Sequence, residues 1–238
     1  MEDDENEYES KNLKFCVFRC PEDEEFFHEL QSDLLEVPEF IAKLPRPMST
    51  KRSTALREDL INNTLLFMVI YSKEGGEYHG NIDGMPITTD EKLFKKPKLI
   101  YSALPIEDEE RAGTLFLKPS GEDRGHRRCA ELGIHISNRM RIEGLEEETA
   151  RWALNWAFLN AGQHRVELNI PGWDSYDLEK YERVGFREER KRECLYKDGK
   201  WWDEVWMGIL KKEWKEIKSR EEVSSQDVKS EEQDDPMY

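Results

Sequence analysis

The side chains best placed for chemistry cluster between Glu131 and Gly144. Glu131, Gly133 and His135 alternate along Cys129–Ile136, a predicted strand, and so share one of its faces. An imidazole can move protons near neutral pH, so His135 is a candidate base. Ten residues after Glu131, Arg141-Ile142-Glu143-Gly144 leads into the predicted helix of Leu145–Phe158. A helix start presents unpaired N–H groups and the positive end of the dipole, and a small residue such as Gly144 lets an anion come close. Other chemistries find no footing. There is no Gly-x-Ser-x-Gly elbow, no Walker loop and no dinucleotide fingerprint. Cys16 and Cys20 lie four apart on a predicted strand, without the further Cys or His that zinc would need nearby. With Cys129 and Cys194 they are expected to be reduced thiols.

The elements that position these residues follow from periodicity. Leu13–Arg19, Thr64–Tyr71, Gly113–Lys118, Cys129–Ile136 and Val166–Ile170 read as strands, Thr64–Tyr71 being apolar enough to be buried on both faces. A helix begins near Pro21 and runs to about Leu35, a second spans Ser53–Asn62, and Trp152 and Trp156 fall on the core stripe of a third. Strands alternating with helices predict a mixed α/β sheet in one domain over residues 12–215. The polar segment at about 73–111 interrupts two strands as a candidate substrate-facing lid. Of the net charge of −16, residues 1–11 and 216–238 each carry −5. Both ends read as disordered acidic tails. An acidic body argues against nucleic-acid binding and suits a cationic substrate. No run of about 18 apolar residues occurs, and Met1-Glu2-Asp3-Asp4-Glu5 does not begin a secretory signal. A cytoplasmic or nuclear, non-membrane location is expected.

The stretch Arg165–Trp214 carries more specific information. It reads as strand, polar turn, amphipathic helix with Tyr181, a Gly185-Phe186 break, and two strands joined by Lys197-Asp198-Gly199-Lys200 and ending Trp206-Met207-Gly208-Ile209-Leu210. This order resembles the C-terminal half of the GCN5-related N-acetyltransferases (GNAT), in particular those acting on ribosomal-protein N-termini and small amines. The resemblance implies a single domain whose central, mostly antiparallel twisted sheet is flanked by helices. It implies acetyl-CoA as co-substrate, no metal, and direct attack of a primary amine on the thioester in a ternary complex. The acceptor is a protein N-terminus, a polyamine or another small amine, and the enzyme a monomer or homodimer.

The resemblance also assigns roles. Glu131 takes the amine's proton and Tyr181 protonates the sulfur. Backbone N–H groups of Ile134, His135 and Ile136 hold the acetyl and pantetheine portion. Arg141, Ile142, Gly144 and Leu145 form the pyrophosphate loop. Asp174 and Asp177 occupy positions where the family has Asn and Ser facing the cofactor. Glu146 stands where the family has Gly or Ala. A carboxylate about 5 Å from a phosphate charge would cost roughly 3 kcal/mol at an effective dielectric near 20. Glu146, Asp174 and Asp177 therefore keep a second reading open: a GNAT-like binding module that does not catalyse.

Overall fold

In a computed structural model, the described residues are 8–33, 48–73, 110–120, 126–137, 140 and 144–231. Eight strands form one sheet: β1 (Tyr8–Glu9), β2 (Leu13–Val17), β3 (Leu66–Ser72), β4 (Glu110–Pro119), β5 (Cys129–Ile136), β6 (Arg165–Pro171), β7 (Arg187–Lys197) and β8 (Lys200–Leu210). Their order is β1-β2-β3-β4-β5-β6-β8-β7. Every neighbouring pair is antiparallel except β5 and β6. The helices are α1 (Glu24–Asp33), α2 (Thr50–Asn63), α3 (Leu145–Leu159), α4 (Ser175–Val184) and α5 (Lys211–Glu231). The expected α/β domain with its mixed, mostly antiparallel sheet is thus the observed one.

Alternation along the strands divides the core. One face carries Phe15, Met68, Ile70, Leu115, Leu132, Ile134, Val166, Leu168 and Met207, buried under α3 and α4 through Leu145, Ala153, Leu154, Phe158, Tyr181 and Val184. The other face carries Phe67, Val69 and Tyr71, packed with Phe27 and Leu60 of α1 and α2. On this second face Phe116 lies over Gly133, where an added Cβ would come within 2.1 Å of its ring. Glycine is therefore required there for the β4 aromatic to seat on β5.

Both predicted tails need correcting. Tyr8 and Glu9 pair with Phe15 and Lys14, so sheet begins inside the segment read as an N-terminal tail. Residues 216–231 are helical, continuing α5 well beyond the expected boundary at 215. The segment is too polar for its composition to betray a helix, but two anchors fix it. Trp214 is buried and donates its indole N–H to Asn155 Oδ1 at 2.9 Å, and Ile217 packs against the core. Arg151 of α3 pairs with Glu221 further along the same helix. Residues 1–7 and 232–238, and 74–109 of the expected insertion, lie outside the described residues.

Trp214→Ala should lower unfolding free energy by about 3–5 kcal/mol, the cost of emptying a large buried aromatic site. Urea unfolding measures it. A midpoint unchanged from the parent protein would mean that α5 does not dock.

Candidate active site

The parallel pair β5–β6 lasts only three residues: Cys129, Ala130 and Glu131 face Arg165, Val166 and Glu167. β5 then continues to Ile136 along β4, and β6 to Pro171 along β8, with no further pairing between them. The two strands therefore part like a fork, with Glu131 and Glu167 at its base. Ser137 N–H donates to Ala112 O of β4, and Cys129 O accepts from Ser120 N–H on the same side. Odd-numbered amides of β5 thus turn toward β4, and by alternation those of Ile134 and Ile136 turn into the gap. This sorts the three backbone groups expected to serve a cofactor. Ile134 and Ile136 face the opening, whereas the amide of His135 turns to β4, where its Cα partner is Thr114.

Glu131 is partly buried, and its carboxyl is pushed up, first by burial and then by the neighbouring charge of Glu167. Lys118, directly across on β4, opposes the shift, while Glu204 adds to it. Glu204 in turn accepts from Asn169 Nδ2 at 3.2 Å and Trp206 Nε1 at 3.0 Å. Glu167 also lines an open cleft of about 610 Å³ with Cys129, Arg165, Glu189, Arg190 and Trp206 among its walls. Arg127 and His164 also line it, and Arg165 pairs with both Glu167, at 3.1 Å, and Glu189. His135 is different. Its ring is buried against Phe116, edge to face at 5.7 Å, and burial lowers its pKa to about 4. It is neutral at pH 7 and too weakly basic to take a proton from an ammonium.

After β5 the chain leads to the head of α3. Gly144 caps it in the left-handed conformation, φ 89°, without a side-chain hydrogen bond. Leu145 is fully buried in the core. Arg141 and Ile142 lie outside the described residues. The three glutamates that follow Leu145 each tie the helix head to another element. Glu146 accepts from Tyr181 Oη at 2.7 Å and from Lys180 Nζ at 2.6 Å, both on α4. Glu147 pairs with Arg183 of α4 at 2.5 Å. Glu148 accepts from Ser10 Oγ at 2.6 Å and Asn12 N at 2.8 Å in the β1–β2 turn.

Two further expected cofactor residues sit at the head of α4. Asp174 is its N-cap, accepting from the Asp177 amide at 3.1 Å, which is what an Asn or Ser would do there. Asp177 is buried and accepts from Lys180 Nζ at 2.5 Å. Lys180 thus bridges Glu146 and Asp177. These carboxylates hold its ammonium charged, with a pKa raised against the strong opposing pull of burial. The repulsion expected between Glu146 and bound phosphate assumed a carboxylate without a cation. Lys180 was not legible as its partner, because it lies 34 residues away on another helix.

No family model matches the chain. The uncharacterized N-acetyltransferase YnaD of Bacillus subtilis (strain 168) is 31% identical over 90 residues, 35% of this chain and 50% of that protein. The match therefore spans half the length of that relative. Among solved structures, spermidine N-acetyltransferase from Vibrio cholerae, in complex with CoA and spermine, superposes with a TM-score of 0.62 at 17% identity, covering 86% of this chain and 99% of that one. An acetyltransferase of the GNAT family from Bacillus anthracis gives 0.59 at 15% identity, covering 87% and 99%. The chain has the GNAT acetyltransferase fold, and the resemblance read in its C-terminal half extends through the sheet.

A histidine with a folded pKa below its unfolded value binds fewer protons when folded, so it weakens the fold as pH falls. For His135 the loss is absent well above pH 6.5 and reaches about 3 kcal/mol near pH 4. Replacing it with asparagine should flatten the decline in urea midpoint between pH 7 and pH 4. An unaltered decline would assign acid sensitivity to other groups.

Proposed function

We propose that this protein is an acetyl-CoA-dependent N-acetyltransferase acting on primary amines. The observation that carries the reading is the fork between β5 and β6, which brings three requirements of acyl transfer to one gap. The Ile134 and Ile136 amides offer donors to the acetyl carbonyl and the pantetheine arm. The head of α3, from Gly144 and Leu145, offers its amides and dipole to the pyrophosphate. Glu131 stands at the base of the fork, its raised pKa making it a better base for the incoming ammonium.

The acceptor enters beside Glu131. Its nitrogen loses a proton to Glu131, directly or through water, and attacks the thioester carbonyl while both substrates are bound. The C–N bond forms, the C–S bond breaks, and Tyr181 protonates the departing sulfur. Glu131 and Glu204 offer carboxylates to a cationic acceptor, while Glu167 is paired with Arg165. A polyamine fits, as does a protein N-terminus followed by basic residues. Asp174 and Asp177 serve by shaping the head of α4. The non-catalytic reading drew its force from Glu146 repelling phosphate, and the Lys180 contact weakens that motive.

Acetyl-CoA should bind with micromolar affinity by calorimetry, and thiol release should follow on adding spermidine. Tyr181→Phe should lower kcat by about 10²-fold, the low end for a general acid, with little change in KM for acetyl-CoA. Binding of acetyl-CoA without thiol release on any amine, primary or peptidyl, would return the chain to the class of binding modules.

A further inference from the structure

We propose that Asp59 is a positioning residue for the transfer: by holding the ammonium of Lys118, it keeps the Glu131 carboxylate open to the acceptor amine. The inference rests on the acetyltransferase reading above, in which Glu131 is the base. Lys118 and Glu131 stand directly opposite each other on β4 and β5. Opposed residues of an antiparallel pair share a face, with Cβ atoms about 5 Å apart, well within the reach of a lysine and a glutamate. This register predicts an ion pair across the strands. Lys118 Nζ instead donates to Asp59 Oδ2 of α2, at 2.9 Å.

The fold prepares this diversion. Phe116 and Lys118 alternate onto the same face of β4, where Phe116 packs with Leu56 and Leu60 of α2 in the second core. That packing lays α2 along β4 and brings Asp59, next to Leu60, to the lysine. Asn63, one turn further along α2, donates its Nδ2 to Asp59 Oδ1 at 2.8 Å, so each carboxylate oxygen meets a donor. On the other side of Glu131 stands Glu167 of β6, and the cation there, Arg165, is taken up by Glu167 and Glu189. Glu204 of β8 adds negative charge. Cys129, two residues before Glu131 on the same face, is held as a neutral thiol, its pKa pushed up by burial. Among the described residues, then, neither neighbouring cation pairs with Glu131.

The position of the ammonium matters to the reaction. A cation within about 4–6 Å of a carboxylate brings its pKa down by about 1–3. Lys118 seated on Glu131 would weaken the base and fill the place of the incoming ammonium. Held on Asp59, it still acts on Glu131, but burial and Glu167 outweigh it. The Lys118–Asp59 pair is partly exposed and adds little to stability. Its consequence lies in what it leaves open.

The experiment measures kcat/KM for spermidine at saturating acetyl-CoA across pH 5–9 in the parent protein, Asp59→Asn and Asp59→Glu, and repeats Asp59→Asn in a Lys118→Met background. Asp59→Asn releases Lys118 to Glu131. Its kcat/KM should fall about tenfold at pH 8, part of the roughly 10²–10⁴-fold that a general base supplies. The ratio of parent to Asp59→Asn should shrink toward low pH, because the parent's Glu131, with the higher pKa, takes up its proton first. Asp59→Glu should recover most of the rate. Without Lys118, Asp59→Asn should change the rate by less than about twofold, as for uncoupled sites. A ratio constant with pH, or an equal loss in the Lys118→Met background, would make the pair a structural contact and overturn the proposal. Carbon-13 NMR titration of the Glu131 carboxyl, assigned through Glu131→Gln, reads the same effect without turnover. Its midpoint should lie about one pH unit lower in Asp59→Asn than in the parent. An unmoved midpoint also overturns the proposal. A midpoint that moves in a protein releasing no thiol with any amine defeats the acetyltransferase reading, and the role of Asp59 with it, which keeps the two failures apart.

Discussion

The fork between β5 and β6 is the constraint on which the rest of the structure depends. A sheet closes its hydrogen bonds strand to strand, and a strand that leaves its neighbour exposes backbone donors that must be satisfied otherwise. Here β5 stays bound to β4 over its whole length and leaves β6 after Glu131. β6 is held away by seven residue pairs with β8, from Arg165–Leu210 to Pro171–Glu204. The opening is thus enforced from both outer sides rather than by anything within it. It keeps the Ile134 and Ile136 amides available to a ligand, and it sets two carboxylates side by side at the last paired position. Burial first, and then this proximity, push the Glu131 carboxyl up.

The head of α3, which follows β5 in the chain, carries three consecutive glutamates. In an isolated helix they would be read as complements to the dipole, worth about 0.3–1 kcal/mol each. In place they do more specific work. Glu146 and Glu147 fasten α3 to α4, while Glu148 fastens it to the turn between β1 and β2. The Glu146 contact is the most buried of these, since Lys180 is 5% exposed. Removing Lys180 there would leave Glu146 and Asp177 without their shared cation, which costs far more than an exposed ion pair is worth, whereas removing Glu146 leaves Lys180 with Asp177.

Much of this was legible in the sequence wherever apolar periodicity carried the signal. Cys129–Ile136 is the predicted strand to the residue, and Thr64–Tyr71 differs from β3 only at its ends. The order from Arg165 to Trp214 is a local pattern, and its Gly185 adopts the left-handed cap that ends α4, φ 116°. What stayed hidden depends on partners distant in the chain. α5 is polar along most of its length and owes its place to Trp214 meeting Asn155, 59 residues away. β1 is two residues long and has no periodicity to read. The alternation of odd and even amides along β5 was in principle readable, but which set faces the gap depends on the register with β4. The acids at 146, 174 and 177 appeared as three separate departures from a family pattern. Space joins two of them through Lys180 and explains the third as a cap.

That grouping bears on how a GNAT fold could tolerate acid beside a phosphate site. A small residue at position 146 would leave the gap between α3 and α4 to water, and Lys180 and Asp177 would form a plain ion pair. Glutamate fills the gap and draws Lys180 toward the head of α3, so a cation arrives with the anion that required it. The positive end of the helix, the ammonium and the carboxylate then sit within one hydrogen-bonded group, and its net effect on a bound phosphate is much smaller than that of a bare charge. The same group reaches Tyr181 through Glu146. A residue that reads in the sequence as damage to the helix head is, in this arrangement, what ties α3 to Lys180 and Tyr181 of α4.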